Sequence, residues 1–461
     1  MDLKRGVFQV LLANIVTLIF AVGNNFILPK YLSLEAYADY KTLVLYTIYI
    51  GILHFGYVDG IYIKYGGKDE CEVSKEAFGY AEKCMLIFQF ILTCIGVVVT
   101  LWIRDIILFC AVLCIIPMNM ISLHKMFYQA TGSFKKYRQI TNVSNGLIFL
   151  LNMVLLFVWK KESGIWFVIS QLVVNLLVWL YYELQSGTLW QKSYINFAGF
   201  ISQMRENIGL GFIVMLGSFM AVGITGMDRW FVKALCTATD FAYYSFAASV
   251  LRLINIVSTA FSVTLYHYFC KEDLSKKVES LRRSILIIGA AMLAIVYPIE
   301  IFVHIFLEKY NLSIPIMFLI FTAQYVMLMV NAVYLNIYKA LNKQKKFLMS
   351  MIFTMVVAIA TNFFMYFVVT QSMWIFAAAT LITAVFWLLL CQRMLSDYRM
   401  KGKEWLYLLL VILLFLLSGS WHPVMALTIY LMWILLWANI LFHEEMRELF
   451  QMGKESLRGI L

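Results

Sequence analysis

Charge is what this chain has least of. Asp, Glu, Lys and Arg make up only 14% of its 461 residues, against 62% hydrophobic residues. So few polar groups cannot cover a soluble domain of this size, and that class is excluded. Proline occurs only 5 times and histidine 6 times. No phosphate-binding loop of the G-x-x-x-x-G-K-[ST] type is present, so nothing points to ATP use. No helix carries H-E-x-x-H, and no Ser/His/Asp set can be assembled from the loops. No catalytic constellation, metal or cofactor is therefore expected. The eight cysteines are scattered. Cys110 and Cys114 stand one helical turn apart in an apolar run, and no pair has metal-ligand spacing with histidines nearby. Only Cys236 falls in an outer loop, which excludes an outer disulfide framework.

What the sequence does have is apolar runs of about 20 residues, each able to cross a hydrocarbon core of roughly 30 Å as a helix. Fourteen such spans are predicted, near residues 6–28, 41–62, 80–102, 105–127, 139–159, 163–184, 207–227, 241–268, 284–307, 313–337, 347–369, 372–394, 404–420 and 423–442. The fold class expected is an all-α polytopic membrane protein. The first stretch resembles a signal peptide, but its apolar part is too long and lacks a small-residue cleavage site. It reads as an uncleaved first helix.

The net charge of +11 has a topological reading. With the N-terminus cytoplasmic, 28 of the 37 Lys and Arg fall on the inner side, 8 on the outer side, and Arg252 lies mid-helix. That is the positive-inside asymmetry, so the basic excess orients the chain and faces anionic lipid. No nucleic-acid partner is expected. Every connection is short, which leaves no room for a soluble catalytic domain.

An internal repeat is visible. "YQATGSFKKY" (128–137) aligns with "YKALNKQKKF" (338–347), and the register continues from Asn152 to Asn362. Nearby, Trp166 and Trp179 pair with Trp374 and Trp387. The offset spans six helices, an even number, so the copies enter the membrane in the same sense as a parallel repeat. The predicted organisation is a six-helix bundle over 1–200, a second over 201–396, and two further helices with a tail over 397–461. Two such bundles would enclose a central cleft suited to alternating access.

Polar residues inside spans are costly and mark either a cavity or helix packing. In the eighth span Ser245, Arg252, Asn255, Thr259, Ser262 and Tyr266 share one face. Arg252 sits about 17 Å from the outer end at 1.5 Å per residue, close to the midplane. It is the leading candidate for a cleft cation, with a structural ion pair as the alternative. Asn14, Thr17, Ala21 and Asn24 line the first span. Asn207, Gly211, Ser218, Thr225 and Asp228 line the seventh. Neighbours on a helix point about 100° apart, so Asp228 is expected to face inward and Arg229 to anchor the helix end or pair across an outer gate. His54 and Asp59 are five apart, not quite on one face. Glu300 and His304 are one turn apart and can meet. Each pair is a candidate for carrying a coupling ion, because histidine titrates near neutrality. A purely structural pair is the alternative.

The stretch "GMDRWFVKALCTATDFAYYSFAASVLRLINIVSTAF" (226–261) resembles the seventh-to-eighth helix hairpin of bacterial Wzx-type polysaccharide flippases. These belong to the MATE-like exporters of multidrug, oligosaccharidyl-lipid and polysaccharide substrates. The family's Asp-Arg pair appears as Asp228-Arg229 and its Tyr-Ser as Tyr244-Ser245. "FILPKYLSLEAYADYKTL" (26–43) resembles the family's first outer loop, although Ala38–Asp39 replaces the usual Gly. "YQATGSFKKY" resembles the cytoplasmic loop after the fourth helix.

The resemblance covers about residues 1–395. It implies two six-helix bundles and termini inside a bacterial cytoplasmic membrane. It also implies a substrate, a polyprenyl-pyrophosphate-linked oligosaccharide moved to the outer leaflet for O-antigen or other surface polysaccharide. Partners implied are membrane lipid, H+ or Na+ as coupling ion, and a glycan polymerase or other assembly protein. On that reading Arg252, Asn255, Asn24, Asp228 and Arg229 contact pyrophosphate or sugar. Two alternatives stay open. One is a MATE-like exporter of organic cations. The other is a membrane enzyme of glycan assembly, a polymerase or an O-acyltransferase, for which His54, His267 and His304 are formal candidates.

Overall fold

The computed structural model describes residues 19–191, 194–252, 274–341 and 343–460, and among these there is no β-strand. Among the described residues ten helices are long and apolar enough to cross a membrane, and a bent pair makes eleven. These match eleven of the fourteen predicted spans. Of the other three, the span at 404–420 is the 17-residue helix Gly402–Ser418. The spans at 6–28 and 241–268 run into residues outside those described. The chain is an all-α polytopic membrane protein. It divides into two compact units, ending at Val222 and beginning at Gly223.

The first unit contains α1 (19–31), α2 (Leu34–Ile50), α3 (Tyr57–Tyr65), α4 (Lys75–Ile103), α5 (Ile106–Leu113), α6 (Ile115–Ala130), α7 (Phe134–Met153) and α8 (Gly164–Ser186). The helix α9 (Phe197–Leu235) contains the unit boundary. Local chemistry sets several starts. The Ser33 hydroxyl accepts from the Ala36 N–H, and Asp105 accepts from the Ile107 and Leu108 N–H groups at 2.8 and 3.0 Å. Each satisfies donors that a first turn leaves unpaired. The segment 26–43, likened above to a loop, is therefore helical except at Leu32–Ser33. The unit's core is aromatic and aliphatic, with Tyr57, Ile61, Phe78, Met120, Leu123 and Phe127 buried together. Phe90, Ile95, Val98 and Trp102 of α4 point outward, as a lipid-facing stripe requires.

In the second unit, α10 is described over 238–252. There follow α11 (Leu274–Leu293), α12 (Val296–Phe306), α13 (Ile314–Leu328), α14 (Leu335–Ala340), α15 (Gln344–Phe364), α16 (Trp374–Met394), α17 (Gly402–Ser418), α18 (Pro423–Leu441) and α19 (His443–Ile460). The span over Glu308–Tyr338 is the hub: 83% of its most apolar window is buried, against 17% for Lys345–Val369. α17 and α18 belong to this packing. Tyr297 of α12 shares a 2.6 Å hydrogen bond with Ser418, and the Tyr430 hydroxyl donates to the Ala290 carbonyl at 2.8 Å. Lipid tails give apolar side chains no reason to prefer another helix, so close packing and such polar ties hold the bundle.

α7 and α15 end alike. Each carries a buried asparagine, Asn152 or Asn362, and each closes in a π-helical turn, Val154–Val158 or Met365–Val369.

Candidate functional site

The helix break in the first unit gathers polar groups around irregular backbone. The α2 helix tightens into a single 3-10 turn, Gly51–His54, then turns sharply at Phe55 and Gly56. These two residues take φ of 49° and 87°. The segments on either side differ in direction by 59°. Glycine at 56 is required twice over, by its left-handed φ and by space. A Cβ there would lie 2.6 Å from the Phe212 backbone nitrogen, and one on Gly60 would lie 2.0 Å from the Asn207 carbonyl oxygen. So α3 crosses α9 in backbone contact. The seventh-span stripe begins here, as Asn207 and Gly211 serve that crossing.

A break at membrane depth frees carbonyls that lipid cannot satisfy. Two buried amides supply the donors. Gln89 Nε2 donates to the Leu53 carbonyl at 3.1 Å and Asn119 Nδ2 to the Ile50 carbonyl at 3.3 Å. The sequence reading missed both, because each is a lone amide within an apolar helix.

His54 and Asp59 flank the break and meet, with Nε2 3.8 Å from Oδ2. Five residues of straight helix would have pointed them apart; the sharp turn at Phe55–Gly56 removes that separation. Gly56 N–H donates to His54 Nδ1 at 3.0 Å, which assigns that nitrogen as acceptor. The proton of neutral His54 then sits on Nε2, facing Asp59.

Asp228 is buried and inward-facing within the second unit. Its Oδ2 accepts from the Tyr244 hydroxyl at 2.5 Å and from the Thr380 hydroxyl at 3.3 Å. Its Oδ1 accepts from the Arg229 N–H at 2.8 Å. The family-like Asp and Tyr are thus one contact joining α9, α10 and α16. Arg229 is half-buried. Arg252 is exposed, while Ser245 and Ser249 on the preceding turns of α10 are buried. Asn255, Thr259, Ser262, Tyr266 and His267 lie outside the described residues, as do Asn14 and Thr17. Asn24 accepts from Asn152 at 3.1 Å, and Asn152 in turn accepts from Ser170 at 2.8 Å. This is a polar tie within the first unit. Glu300 is buried and His304 half-exposed, with Nε2 3.8 Å from Oε1. The structure thus brings His54 to Asp59 and Glu300 to His304.

Buried cations went unforeseen, and among the described lysines and arginines Lys41 is the one in the first unit. Lys41 of α2 donates to Asn25 Oδ1 at 3.0 Å, with the Tyr37 and Tyr40 rings 5.2 and 5.6 Å from its ammonium. Its place in a segment likened to a loop concealed it.

A cavity of about 360 Å³ opens at the lysine-rich end of the first unit, with Glu70, Lys136, Phe78, Tyr128 and Thr188 on its wall. Glu70 accepts from Ser133 at 2.6 Å and pairs with Lys136. Burial works against its charge, but these two donors prevail and hold its carboxyl below the usual range.

No protein-family model matches the chain. No curated protein matches it in sequence. Solved structures do match. The lipid II flippase MurJ, in an inward closed conformation, superposes with a TM-score of 0.72 at 12% identity, over 96% of this chain and 99% of that one. A multidrug MATE transporter of the MOP superfamily in an outward-facing conformation gives 0.48 at 12% identity, over 86% and 97%. A MOP superfamily transporter from Pyrococcus furiosus gives 0.44 at 14% identity, over 86% and 94%. At this identity the MurJ likeness concerns the fold, and it runs through nearly the whole of both chains: this protein has the fold of a lipid flippase.

Proposed function

We propose that the chain is a flippase for lipid-linked oligosaccharides. It moves a polyprenyl-pyrophosphate-linked glycan unit from the inner to the outer leaflet by alternating access, for assembly of a surface polysaccharide. The observation that carries this reading is the end-to-end likeness to the lipid II flippase. The stretch 226–261, with Asp228 tied to Tyr244, adds the sequence resemblance to polysaccharide flippases. Such a substrate has a sugar headgroup and an anionic pyrophosphate, which need polar and cationic contacts, and a tail that stays in lipid. Arg252 suits the pyrophosphate, because guanidinium offers paired donors to phosphate oxygens. Asn24, Asn255, Asp228 and Arg229 remain the proposed sugar and phosphate contacts. The energy source on this reading is an H+ or Na+ gradient, with His54–Asp59 and Glu300–His304 as proposed carriers. The setting is a bacterial cytoplasmic membrane with both termini inside, and a glycan polymerase is the natural partner downstream.

The test is reconstitution in vesicles with a fluorescent polyprenyl-pyrophosphate oligosaccharide. Outer-leaflet label is then quenched with a membrane-impermeant reductant under an imposed H+ or Na+ gradient. Wild-type protein should expose more label than empty vesicles. Arg252→Ala should abolish the gain, and Arg252→Lys should restore part of it, since lysine keeps the charge and loses the paired donors. No gain with wild-type protein overturns the function; full activity of Arg252→Ala overturns the assigned role of that residue.

A further inference from the structure

Three ionisable side chains from three helices meet in the interior of the first unit. Glu82 of α4, His124 of α6 and Glu183 of α8 are 0%, 1% and 5% exposed. His124 Nε2 lies 2.6 Å from Glu82 Oε1 and 3.4 Å from Glu183 Oε2. One ligating atom from each residue lies within 4.8 Å of the others.

The charge of this cluster does not balance. Among the described residues neither carboxylate has a Lys or Arg partner, and His124 is the only cation within reach. A protonated histidine would leave one uncompensated negative charge. Its wall is aromatic, with Phe78 edge-on to the imidazole at 5.8 Å and Tyr128 stacked at 6.2 Å. Leaving a charge unpaired in such surroundings is expensive. Hydrogen bonding is incomplete as well. Glu183 Oε1 is buried with no hydrogen-bond partner, and His124 Nδ1, on the side of the ring away from the carboxylates, has none either. Polar atoms so deeply buried are nearly always satisfied, so the open carboxylate oxygen points to a ligand.

We propose that Glu82, His124 and Glu183 form a binding site for a divalent first-row transition metal ion, of which Zn2+ is the representative. A 2+ ion neutralises both carboxylates while histidine stays neutral. One imidazole nitrogen with carboxylate oxygens is a donor set that Zn2+ accepts, whereas Mg2+ and Ca2+ favour oxygen alone. Bonds of about 2.1 Å to a tetrahedral ion place neighbouring ligand atoms about 3.4 Å apart. The Glu183–His124 separation already has that value, and the Glu82–His124 contact must widen by less than about 1 Å. The Thr188 hydroxyl donates to Glu82 Oε2, the kind of outer contact that orients a metal-binding carboxylate. An entry path is at hand, because Thr188, Phe78 and Tyr128 also wall the 360 Å³ cavity at the lysine-rich end. No short motif announces the site, since each ligand comes from a different helix. The proposal is independent of the transported substrate.

The experiment uses full-length protein purified in detergent, stripped with chelator, and titrated with Zn2+ by calorimetry. Co2+ then serves as a coloured probe of geometry. Wild-type protein should bind about one ion per chain, show Co2+ absorption bands of a low-coordinate site, and melt at a higher temperature with Zn2+. Glu183→Gln, Glu82→Gln and His124→Gln should each weaken binding about ten-fold or more. Glu183→Gln is the most informative, because one of its carboxylate oxygens has no partner to lose. No stoichiometric uptake by wild-type protein overturns the proposal, whatever the variants do. Equal uptake by all three variants also overturns it.

Discussion

Asn119 and Gln89 hold each other across two helices, amide nitrogen to amide oxygen at 2.7 Å, and each spends a further donor on a carbonyl freed by the break in the second span. Both side chains are fully enclosed. Removing one leaves its partner and one backbone carbonyl unsatisfied where water cannot reach. Each such loss costs about 1–3 kcal/mol. Gln89→Leu and Asn119→Leu should therefore each lower the melting temperature measured by intrinsic fluorescence in detergent. The double variant should cost less than the sum, because the second substitution removes a group already orphaned. Additive losses would show that the two amides act separately.

Arg282 and Glu404 make a second enclosed tie, from α11 to the start of α17. Guanidinium Nε and Nη2 donate to the two carboxylate oxygens at 2.7 and 2.8 Å, and Nη1 donates to the Tyr398 carbonyl at 2.8 Å. Glu404 Oε2 also accepts from the Lys401 N–H at 2.6 Å, capping its own helix. Breaking a buried pair from one side strands the other charge, at about 3–5 kcal/mol. Glu404→Ala should therefore unfold the protein at markedly lower temperature. Arg282→Met combined with Glu404→Leu should recover much of the loss, as apolar replacements of buried pairs often do. A double variant no better than Glu404→Ala would assign the stability to the Lys401 cap and the Tyr398 contact instead.

Glu70 supplies a pH dependence. Its carboxyl is held below the ordinary range, because Ser133 and Lys136 outweigh the burial that opposes its charge. A depressed folded-state pKa stabilises most above the unfolded value, and that contribution is lost as pH falls through the folded pKa. Partial exposure and salt screening keep the effect small. Acid should thus loosen the clasp between the segment at Glu70 and the start of α7. Wild-type melting temperature should fall more steeply below the ordinary carboxylate range than that of Glu70→Gln. Parallel curves would remove Glu70 from the acid response.

The membrane class and the spans were legible because hydropathy acts over about twenty residues at a time and survives any local irregularity. The burial of Asp228, beside a half-buried Arg229, was legible from helical spacing within α9. The meeting of His54 and Asp59 was not, since spacing arguments assume an unbroken helix and the turn at Phe55–Gly56 violates that. "HFGYVDG" does hold the glycine that permits it, but glycine is common in spans and marks no break by itself. Lys41 was hidden by likening its segment to a loop. Glu82, His124 and Glu183 were illegible for another reason. They are 42 and 59 residues apart in the chain and share no helix, so only the folded packing of α4, α6 and α8 brings them together.

The proposed orientation can be read from two thiols. Cys71 lies in the short 3-10 turn before α4 and is exposed, while Cys236 follows α9 and is half-buried. The distribution of lysine and arginine puts the first inside and the second outside. Burial, with a smaller push from the Asp240 charge, raises the Cys236 thiol to about 11. It is therefore almost wholly protonated near neutrality, and its reactive thiolate grows about tenfold per pH unit up to that value. In chains reduced to one cysteine, a membrane-impermeant maleimide on intact cells should label Cys236 slowly at pH 7 and faster at pH 9. Cys71 should resist until the membrane is opened. Ready labelling of Cys71 in intact cells, with Cys236 protected, would invert the topology and with it the direction of the proposed transport.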